Sequence, residues 1–252
     1  MTTEERRTKL YEMLQKEKVL DVNYIRDYFN VSAVTVRNDL IFLERNSLIT
    51  RQFGKALLKQ RGINDKFETN NTRNLEEKEK IGKYAAKLVK RDEAVLIYAG
   101  STTLQVARYL PESINLCAVT NSIYIANELK EHKNVKTVFI GGNFNSETGS
   151  TYGLEAITQL NKFNIDKLFL AVCGIDAQNG ITSDQPFETD INIAMIQRAR
   201  EVIVVADHTK IGKIHFTTIG CLDRICKVIT DAKASKEEVE KLRKLGIDVV
   251  LV

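Results

Sequence analysis

The sequence predicts an α/β protein in which a small helical unit precedes a larger domain with an open, mostly parallel sheet. Three helical patterns and a hairpin pattern come first, and the apolar content then falls between Lys59 and Lys80. After this stretch, short runs of Val, Ile and Leu alternate with amphipathic helices, which is typical of a parallel sheet covered on both faces. We therefore expect domains at residues 1–58 and 76–252, joined by a linker at 59–75.

The composition is that of an ordinary globular chain, and 252 residues suffice for one large and one small domain. No apolar run approaches the roughly 20 residues that a membrane helix needs, and the N-terminus lacks the apolar stretch of a secretory signal. The four cysteines form no CxxC pair and have no histidine at metal-ligand spacing. We therefore expect a cytoplasmic protein with no cofactor, no metal and no membrane partner.

Three apolar stripes with helical spacing define the N-terminal unit. Their side chains are Leu10, Met13 and Leu14, then Val22, Ile25 and Phe29, and then Val36, Leu40 and Leu43. Asn30 and Val31 fit the tight turn before the third helix, which Ser32 can cap. Residues 48–58 are typical of two short strands around a turn at Gly54.

The third helix has an outward side that suits the major groove of DNA. Arg37 can donate two hydrogen bonds to guanine, and Asn38 can pair with adenine. Hydroxyl groups near a helix N-terminus suit phosphate oxygens, and basic side chains on or beside the hairpin can reach the backbone or a minor groove. The predicted DNA-binding residues are Ser32, Thr35, Arg37, Asn38, Arg51 and Lys55.

A small helical bundle that binds protein would show the same three stripes. The residues of the third helix and the hairpin, however, resemble the N-terminal signature of the DeoR family of bacterial repressors. The matching residues are Val31-Ser32-x-x-Thr35-Val36-Arg37-x-Asp39-Leu40-x-x-Leu43-Glu44 and Leu48-Ile49-Thr50-Arg51-x-x-Gly54-x-Ala56, together with Glu5-Arg6-Arg7 in the first helix. The resemblance implies a winged helix-turn-helix that binds a double-stranded DNA operator. Asn38 and Lys55 depart from the arginine and glycine that are usual in the family.

In the larger domain, several loops follow predicted strands at what we expect to be one edge of the sheet, where open α/β sheets bind ligands. The loop Gly100-Ser101-Thr102-Thr103 opens a helix and suits a phosphate, although a plain helix cap explains the same residues. For Thr120-Asn121-Ser122 and Gly141-Gly142 the alternative is ordinary loop chemistry. Lys210 can bring a positive charge to this edge or can be a solvated lysine.

These loops also resemble, in the same order, the sensor domain of the DeoR family, together with Glu77-Lys78, Gly174-Ile175-Asp176 and Ala206-Asp207-x-x-Lys210-x-Gly212. The resemblance implies a phosphorylated sugar as effector, with its phosphate on the first loop and Lys210 and its hydroxyls on acidic and amide side chains. The predicted effector-binding residues are Lys78, Gly100, Ser101, Thr102, Thr103, Asn121, Gly141, Asp176, Glu188 and Lys210. Tyr98 and Asn192 depart from the family pattern, and they bear on which sugar is bound.

The resemblance implies that the sensor domain is similar to ribose 5-phosphate isomerase, so an isomerase-like enzyme with a fused DNA-binding domain is the alternative function. The catalytic glutamate of those enzymes falls at Asn192, and an amide cannot take the proton that isomerisation moves. We therefore predict a sequence-specific transcriptional regulator rather than an enzyme. It is expected to repress a sugar catabolic operon until a phosphorylated sugar binds, and to act as a homodimer or homotetramer.

Overall fold

The computed structural model describes residues 1–46, 48–52, 54–58 and 65–252, apart from the side chains of Asp65, Lys66 and Glu68. The chain divides into two compact units, Met1–Asn64 and Asp65–Val252. Within the predicted linker at 59–75, residues 59–64 lie outside the described residues, whereas Asp65–Thr72 is helical.

The first unit is a winged helix-turn-helix, as the sequence predicts. Its elements are α1 (Thr3–Glu17), β1 (Val19–Asp21), α2 (Val22–Phe29), α3 (Ala33–Arg45), β2 (Ile49–Gln52) and β3 (Lys55–Leu58). Strand β3 pairs antiparallel with β1 and with β2. Asn30 ends α2 in the left-handed conformation, with φ 50° and ψ 52°, and this allows the tight turn into α3. Leu14, Ile25, Leu40 and other buried apolar side chains of these elements form one core.

The second unit is built on a parallel sheet. Its elements are α4 (Asp65–Thr72), α5 (Leu75–Ala86), β4 (Ala94–Ile97), α6 (Ser101–Arg108), β5 (Leu116–Thr120), α7 (Ile123–Leu129), β6 (Val135–Phe139), β7 (Asn143–Asn145), β8 (Ser150–Tyr152), α8 (Leu154–Leu160), β9 (Ile165–Leu170), β10 (Gly174–Asp176), β11 (Gly180–Ser183), α9 (Thr189–Arg198), β12 (Ala199–Val205), β13 (Thr217–Gly220), β14 (Lys227–Thr230), α10 (Lys236–Lys244) and β15 (Asp248–Leu251). Seven of the described strands form one sheet in the order β15–β14–β12–β9–β4–β5–β6. All neighbouring strands in it are parallel.

Helices cover both faces of this sheet. Side chains of α5, α6 and α7 pack in the core of one face, and those of α8, α9 and α10 pack in the core of the other face. A continuous apolar strand such as β4 is therefore buried on both sides, with Leu96 in one core and Val95 and Ile97 in the other, which explains its composition. Helices α5 and α6 approach closely at Gly82, where a Cβ atom would lie 2.5 Å from the Cβ of Gln105.

Helix α4 and two small antiparallel sheets, β7–β8 and β10–β11–β13, are not predicted by the local sequence pattern. Helix α4 has a single apolar side chain, Phe67, which stacks on Tyr124 of α7 with ring centroids 3.9 Å apart. Its position therefore depends on a distant part of the chain rather than on a local periodicity. In the described part of the chain, no helix has both the length and the apolar composition that crossing a membrane requires.

Candidate DNA-binding surface and effector cavity

Helix α3 begins at a capped N-terminus and exposes polar side chains. The Ser32 hydroxyl accepts a hydrogen bond from the Thr35 backbone N–H at 3.1 Å, and the two hydroxyl oxygens are 2.8 Å apart. Arg37 and Asn38 are exposed, while Val36 beside them is buried. The two exposed side chains have no hydrogen-bond partner in the part of the unit that the structure describes, so both are available to DNA base edges.

Asp39 fixes α3 against α1, a role that the sequence analysis did not assign. It is buried, and its carboxylate accepts hydrogen bonds from Arg6 Nε at 2.6 Å and from Arg7 Nε at 2.9 Å. The Arg7 guanidinium also lies over the ring of Phe42, 3.8 Å from its centroid. The available signal was its position, because Asp39 follows Val36 by three residues and therefore lies on the inward face of α3.

The two predicted wing residues are in different environments. Arg51 Nε donates to Glu44 Oε2 at 2.7 Å, and the Arg51 N–H donates to Glu44 Oε1 at 3.2 Å. The hydrogen bond from Arg51 lowers the pKa of Glu44. Arg51 thus ties β2 to the end of α3. Lys55 is exposed beside the turn at Gly54, whose φ is +74°, and is open to a DNA backbone.

A cavity of about 230 Å³ lies at the carboxyl ends of β4, β9 and β12 in the second unit. This is the edge at which the sequence predicts the ligand. Of the predicted effector-binding residues, its lining contains Lys78, Gly100, Ser101, Thr102, Glu188 and Lys210. The lining also contains side chains of α4, namely Phe67, Asn70 and, just beyond the helix, Arg73.

One side of the cavity is suited to an anion. Helix α6 begins after Gly100 without a capping side chain, so its first N–H groups can bind a phosphate. Only glycine fits at position 100, because a Cβ atom would lie 2.4 Å from the Cβ of Ala171. Arg73 and Lys210 line the same cavity, and neither forms an ion pair within the part of the chain that the structure describes.

Lys78 is a buried cation with several oxygen neighbours. Its Nζ donates to the carbonyl oxygens of Asn70 and Arg73 and lies 3.9 Å from Asp207 Oδ2. Burial lowers the pKa of Lys78 to about 8. Burial alone would raise the pKa of Asp207, but the charge of Lys78 and hydrogen bonds from Thr209 outweigh it and leave that pKa lowered. Lys78 therefore joins α4 to the floor of the cavity.

The other side of the cavity centres on Glu188, which is buried. Its Oε2 accepts the Tyr98 hydroxyl at 2.6 Å, and its Oε1 accepts Asn145 Nδ2, Thr148 Oγ1 and Ser150 Oγ, each at 2.8 Å. Burial and the Glu188 charge raise the pKa of Tyr98, so its hydroxyl keeps its proton. Within the described ranges, no three His, Cys, Asp or Glu side chains are grouped so as to hold a metal ion.

Thr103 and Asn121, predicted to contact the effector, support the loop backbone instead of lining the cavity. Thr103 Oγ1 donates to the carbonyl oxygen of Tyr98 at 2.6 Å. The Asn121 side chain accepts the Ala99 N–H at 3.2 Å and donates to the Thr151 carbonyl at 2.9 Å. Both side chains are fully buried, and their hydrogen-bonding groups hold the loop after β4 in shape.

Gly141 and Asp176 also lie outside the cavity lining. The Gly141 N–H donates to Gln159 Oε1 at 3.1 Å. Asp176 Oδ1 accepts the N–H groups of Gln178 and Asn179, at 2.9 and 2.8 Å, and the Asn179 side chain also bonds to it and lowers its pKa. The carboxylate predicted to contact a sugar thus closes the turn between β10 and β11.

Comparisons with known proteins match both units. Residues 6–61 match the family model of the DeoR-like helix-turn-helix domain, and residues 73–232 match that of the DeoR C terminal sensor domain. A protein of Escherichia coli O157:H7, named as an aga operon transcriptional repressor, is 31% identical over 99% of this chain and 94% of its own. The glycerol-3-phosphate regulon repressor of Escherichia coli K12 is 28% identical over 92% of each chain.

Among solved structures, ribose 5-phosphate isomerase a from Methanocaldococcus jannaschii has 19% sequence identity and a TM-score of 0.41, over 54% of each chain. That likeness says nothing about activity, whereas the sequence relatives are regulators over nearly their whole length. The protein is therefore a regulator rather than an isomerase-like enzyme. With a winged helix-turn-helix, a parallel-sheet sensor unit and both family models matched, the chain belongs to the DeoR family of DNA-binding transcriptional regulators.

Proposed function

We propose that the protein represses genes for the use of a sugar and that a phosphorylated sugar in the cavity relieves this repression. The observation that carries the proposal is the anion-binding side of the cavity, where the uncapped start of α6 meets Arg73 and Lys210. The relatives support the regulatory part, since one is named as a repressor of the aga operon and another as the repressor of the glycerol-3-phosphate regulon.

In this proposal each unit has its own task. The first unit binds the operator through the N-terminal turn of α3, with Arg37 and Asn38 on base edges and Ser32 and Thr35 on phosphates. Lys55 contacts the DNA backbone, and Arg51 acts by holding the wing. The second unit holds the effector and the contacts between subunits. A regulator of this kind works beside the DNA, in the cytoplasm.

A symmetrical operator requires at least two copies of α3, because one recognition helix reads one half-site. We therefore propose a homodimer or a homotetramer. Sedimentation of the full chain, alone and with operator DNA, measures this directly. A chain that remains a monomer on its operator would contradict this part of the proposal.

The decisive experiment is fluorescence anisotropy with labelled DNA from upstream of the protein's own operon, at fixed salt because phosphate contacts depend on salt. Sugar phosphates and their free sugars are then titrated in pairs. We expect tight binding that one phosphorylated sugar releases and its free sugar does not. Binding without preference for this DNA, or release by free sugars only, would count against the proposal.

A further inference from the structure

Tyr98 and Asn192, two positions at which the chain departs from the family pattern, are in direct contact in the cavity. The Tyr98 hydroxyl donates its only proton to Glu188 Oε2 at 2.6 Å. The Tyr98 hydroxyl oxygen also accepts a hydrogen bond from Asn192 Nδ2, which lies 3.2 Å away. A reversed Asn192 amide would place two acceptors against each other, because the Tyr98 proton is already used. The network therefore fixes the direction of the amide.

This fixed direction leaves Asn192 Oδ1 without a hydrogen-bond partner in the described part of the chain. Asn192 is 1% exposed, and buried side-chain oxygens are in most cases hydrogen-bonded. The residue also lines the cavity. Oδ1 is therefore an acceptor that a hydroxyl or an N–H group of a bound molecule can satisfy.

Glu188 gives the same side of the cavity a negative charge. The four groups that donate to it in the described ranges, from Tyr98, Asn145, Thr148 and Ser150, are all neutral. Neutral donors stabilise a carboxylate but do not cancel its charge. A second phosphate or a carboxylate of a ligand would therefore be repelled beside Asn192.

Three of the groups on the side suited to an anion belong to helices that pack on the opposite face of the sheet from Asn192. Lys78 is on α5, and Ser101 and Thr102 begin α6; these helices pack on one face. Asn192 is on α9, which packs on the other face. The cavity thus has a cationic side and an acceptor side, separated by the ends of the strands.

We propose that the cavity selects effectors with a single phosphate at one end and a hydroxyl or N–H donor at the other, where Asn192 Oδ1 receives it. Glu188 excludes molecules that carry a second anionic group at that end. This inference rests on the proposed function of the cavity as the effector site. It narrows the effector to a monophosphorylated polyhydroxy or amino compound and rules against bisphosphates and phosphorylated sugar acids.

Isothermal titration calorimetry on the full wild-type chain tests this selectivity. The probes are sugar and polyol monophosphates, each beside its bisphosphate, together with inorganic phosphate. We expect the best monophosphate to bind at least about tenfold more tightly than its bisphosphate and than inorganic phosphate. A bisphosphate that binds as tightly as its monophosphate would overturn the selectivity while leaving the effector site intact. A chain that binds no phosphorylated probe would remove the proposed function and, with it, this inference.

Variants test the two residues separately. Asn192→Leu removes the acceptor and is expected to lower the affinity for the best monophosphate by about tenfold or more. The affinities for operator DNA and for inorganic phosphate should equal those of the wild type. Gln105→Leu is the matched control, because Gln105 is also a buried amide without a described partner but lies outside the cavity lining. Wild-type monophosphate affinity in Asn192→Leu would overturn the role of Asn192.

Glu188→Gln keeps the size of the side chain and removes its charge. We expect the bisphosphate to bind this variant about fivefold or more tighter than it binds the wild type. The ratio of monophosphate to bisphosphate affinity should therefore fall. A urea denaturation curve of the sensor unit that matches the wild type shows that the variant is folded. A bisphosphate affinity that does not rise in the folded variant would overturn the exclusion by charge.

Discussion

Arg6 and Asp39 form a buried ion pair, with Arg6 Nε 2.6 Å from Asp39 Oδ2. The pair joins the first turn of α1 to the middle of the helix that presents Arg37 and Asn38. In the proposed function Arg37 and Asn38 contact DNA bases, so the angle at which they would do so depends on an ion pair within the protein.

Asp39→Ala is expected to destabilise the N-terminal unit by about 3–5 kcal/mol, because it leaves the Arg6 charge buried and unpaired. Hydrogen exchange of α1 and α3, measured by mass spectrometry, should show the loss of protection. Asp27→Ala is the matched control. Asp27 pairs with Arg26 at the surface, where ion pairs contribute little to stability. Equal protection in the two variants would contradict the role given to Asp39.

Arg37→Ala is expected to reduce site-specific binding by about 1–3 kcal/mol and to relax base preference at one operator position, without affecting the fold. Lys55→Ala should instead lower the affinity for all DNA sequences equally and reduce the dependence of that affinity on salt. Anisotropy titrations with operator and random DNA at several salt concentrations separate the two effects. Unchanged discrimination in Arg37→Ala would refute the assignment of a base contact.

Lys210→Ala should leave operator affinity unchanged and raise the effector concentration for half release by about tenfold, because a charge-assisted contact to the phosphate is lost. Lys213→Ala serves as the control, since Lys213 is exposed nearby and lies outside the cavity lining. The same anisotropy assay measures both. If Lys210→Ala releases DNA at the wild-type effector concentration, Lys210 is not a phosphate ligand.

Gly100→Ala is expected to lower the stability of the sensor unit by about 1–3 kcal/mol and to weaken the effector response, because the added Cβ meets Ala171 and forces the loop to move. Gly141→Ala is its control. There a Cβ atom would lie 3.5 Å from Gln159 Nε2, which is an ordinary contact. Urea denaturation of both variants gives the comparison. Equal losses would mean that Gly100 is not sterically required.

Effector affinity should fall as the pH rises through about 8, the lowered pKa of Lys78. Below this pH Lys78 carries a charge that favours a bound phosphate, and above it the amine is neutral. A sugar phosphate is already a dianion above about pH 7, so a change between pH 7.5 and 9.5 reports the protein. The expected loss is roughly tenfold, measured by calorimetry. A Lys78→Met variant with the same pH profile would exclude Lys78 as its cause.

The central sheet and α3 could be predicted because their signals are local. The strand predicted at residues 202–206 overlaps the last four residues of β12. Ser32 was predicted to cap α3, and its side chain does so. Strand β7, by contrast, is Asn143-Phe144-Asn145, and three residues are too few for an alternation of polar and apolar side chains to indicate a strand. It exists because β8 pairs with it, and such pairing cannot be deduced from a three-residue segment.

The position of the loops on the side of the cavity that is suited to an anion could be predicted, because loops that follow parallel strands fall on one sheet edge. Glu188 was itself predicted from the family resemblance, but the hydrogen-bond network around it could not be predicted, because the donors that hold Glu188 are far from it in sequence. Asn145, Thr148 and Ser150 precede it by 43, 40 and 38 residues. Asp176 was predicted to contact a sugar but closes a turn instead. A carboxylate after a strand can do either, and only the positions of its neighbours decide between a ligand contact and a turn.

Helix α4 is a structural part of the sensor unit, at its N-terminal end. Phe67 and Asn70 line the cavity, and Lys78 binds the carbonyl oxygens of Asn70 and Arg73. A fragment begun at Arg73 would lack part of the cavity lining even though every strand of the seven-stranded sheet is present. Hybrid regulators made by exchanging DNA-binding units should therefore be joined ahead of Asp65, so that each sensor unit keeps the helix that completes its cavity.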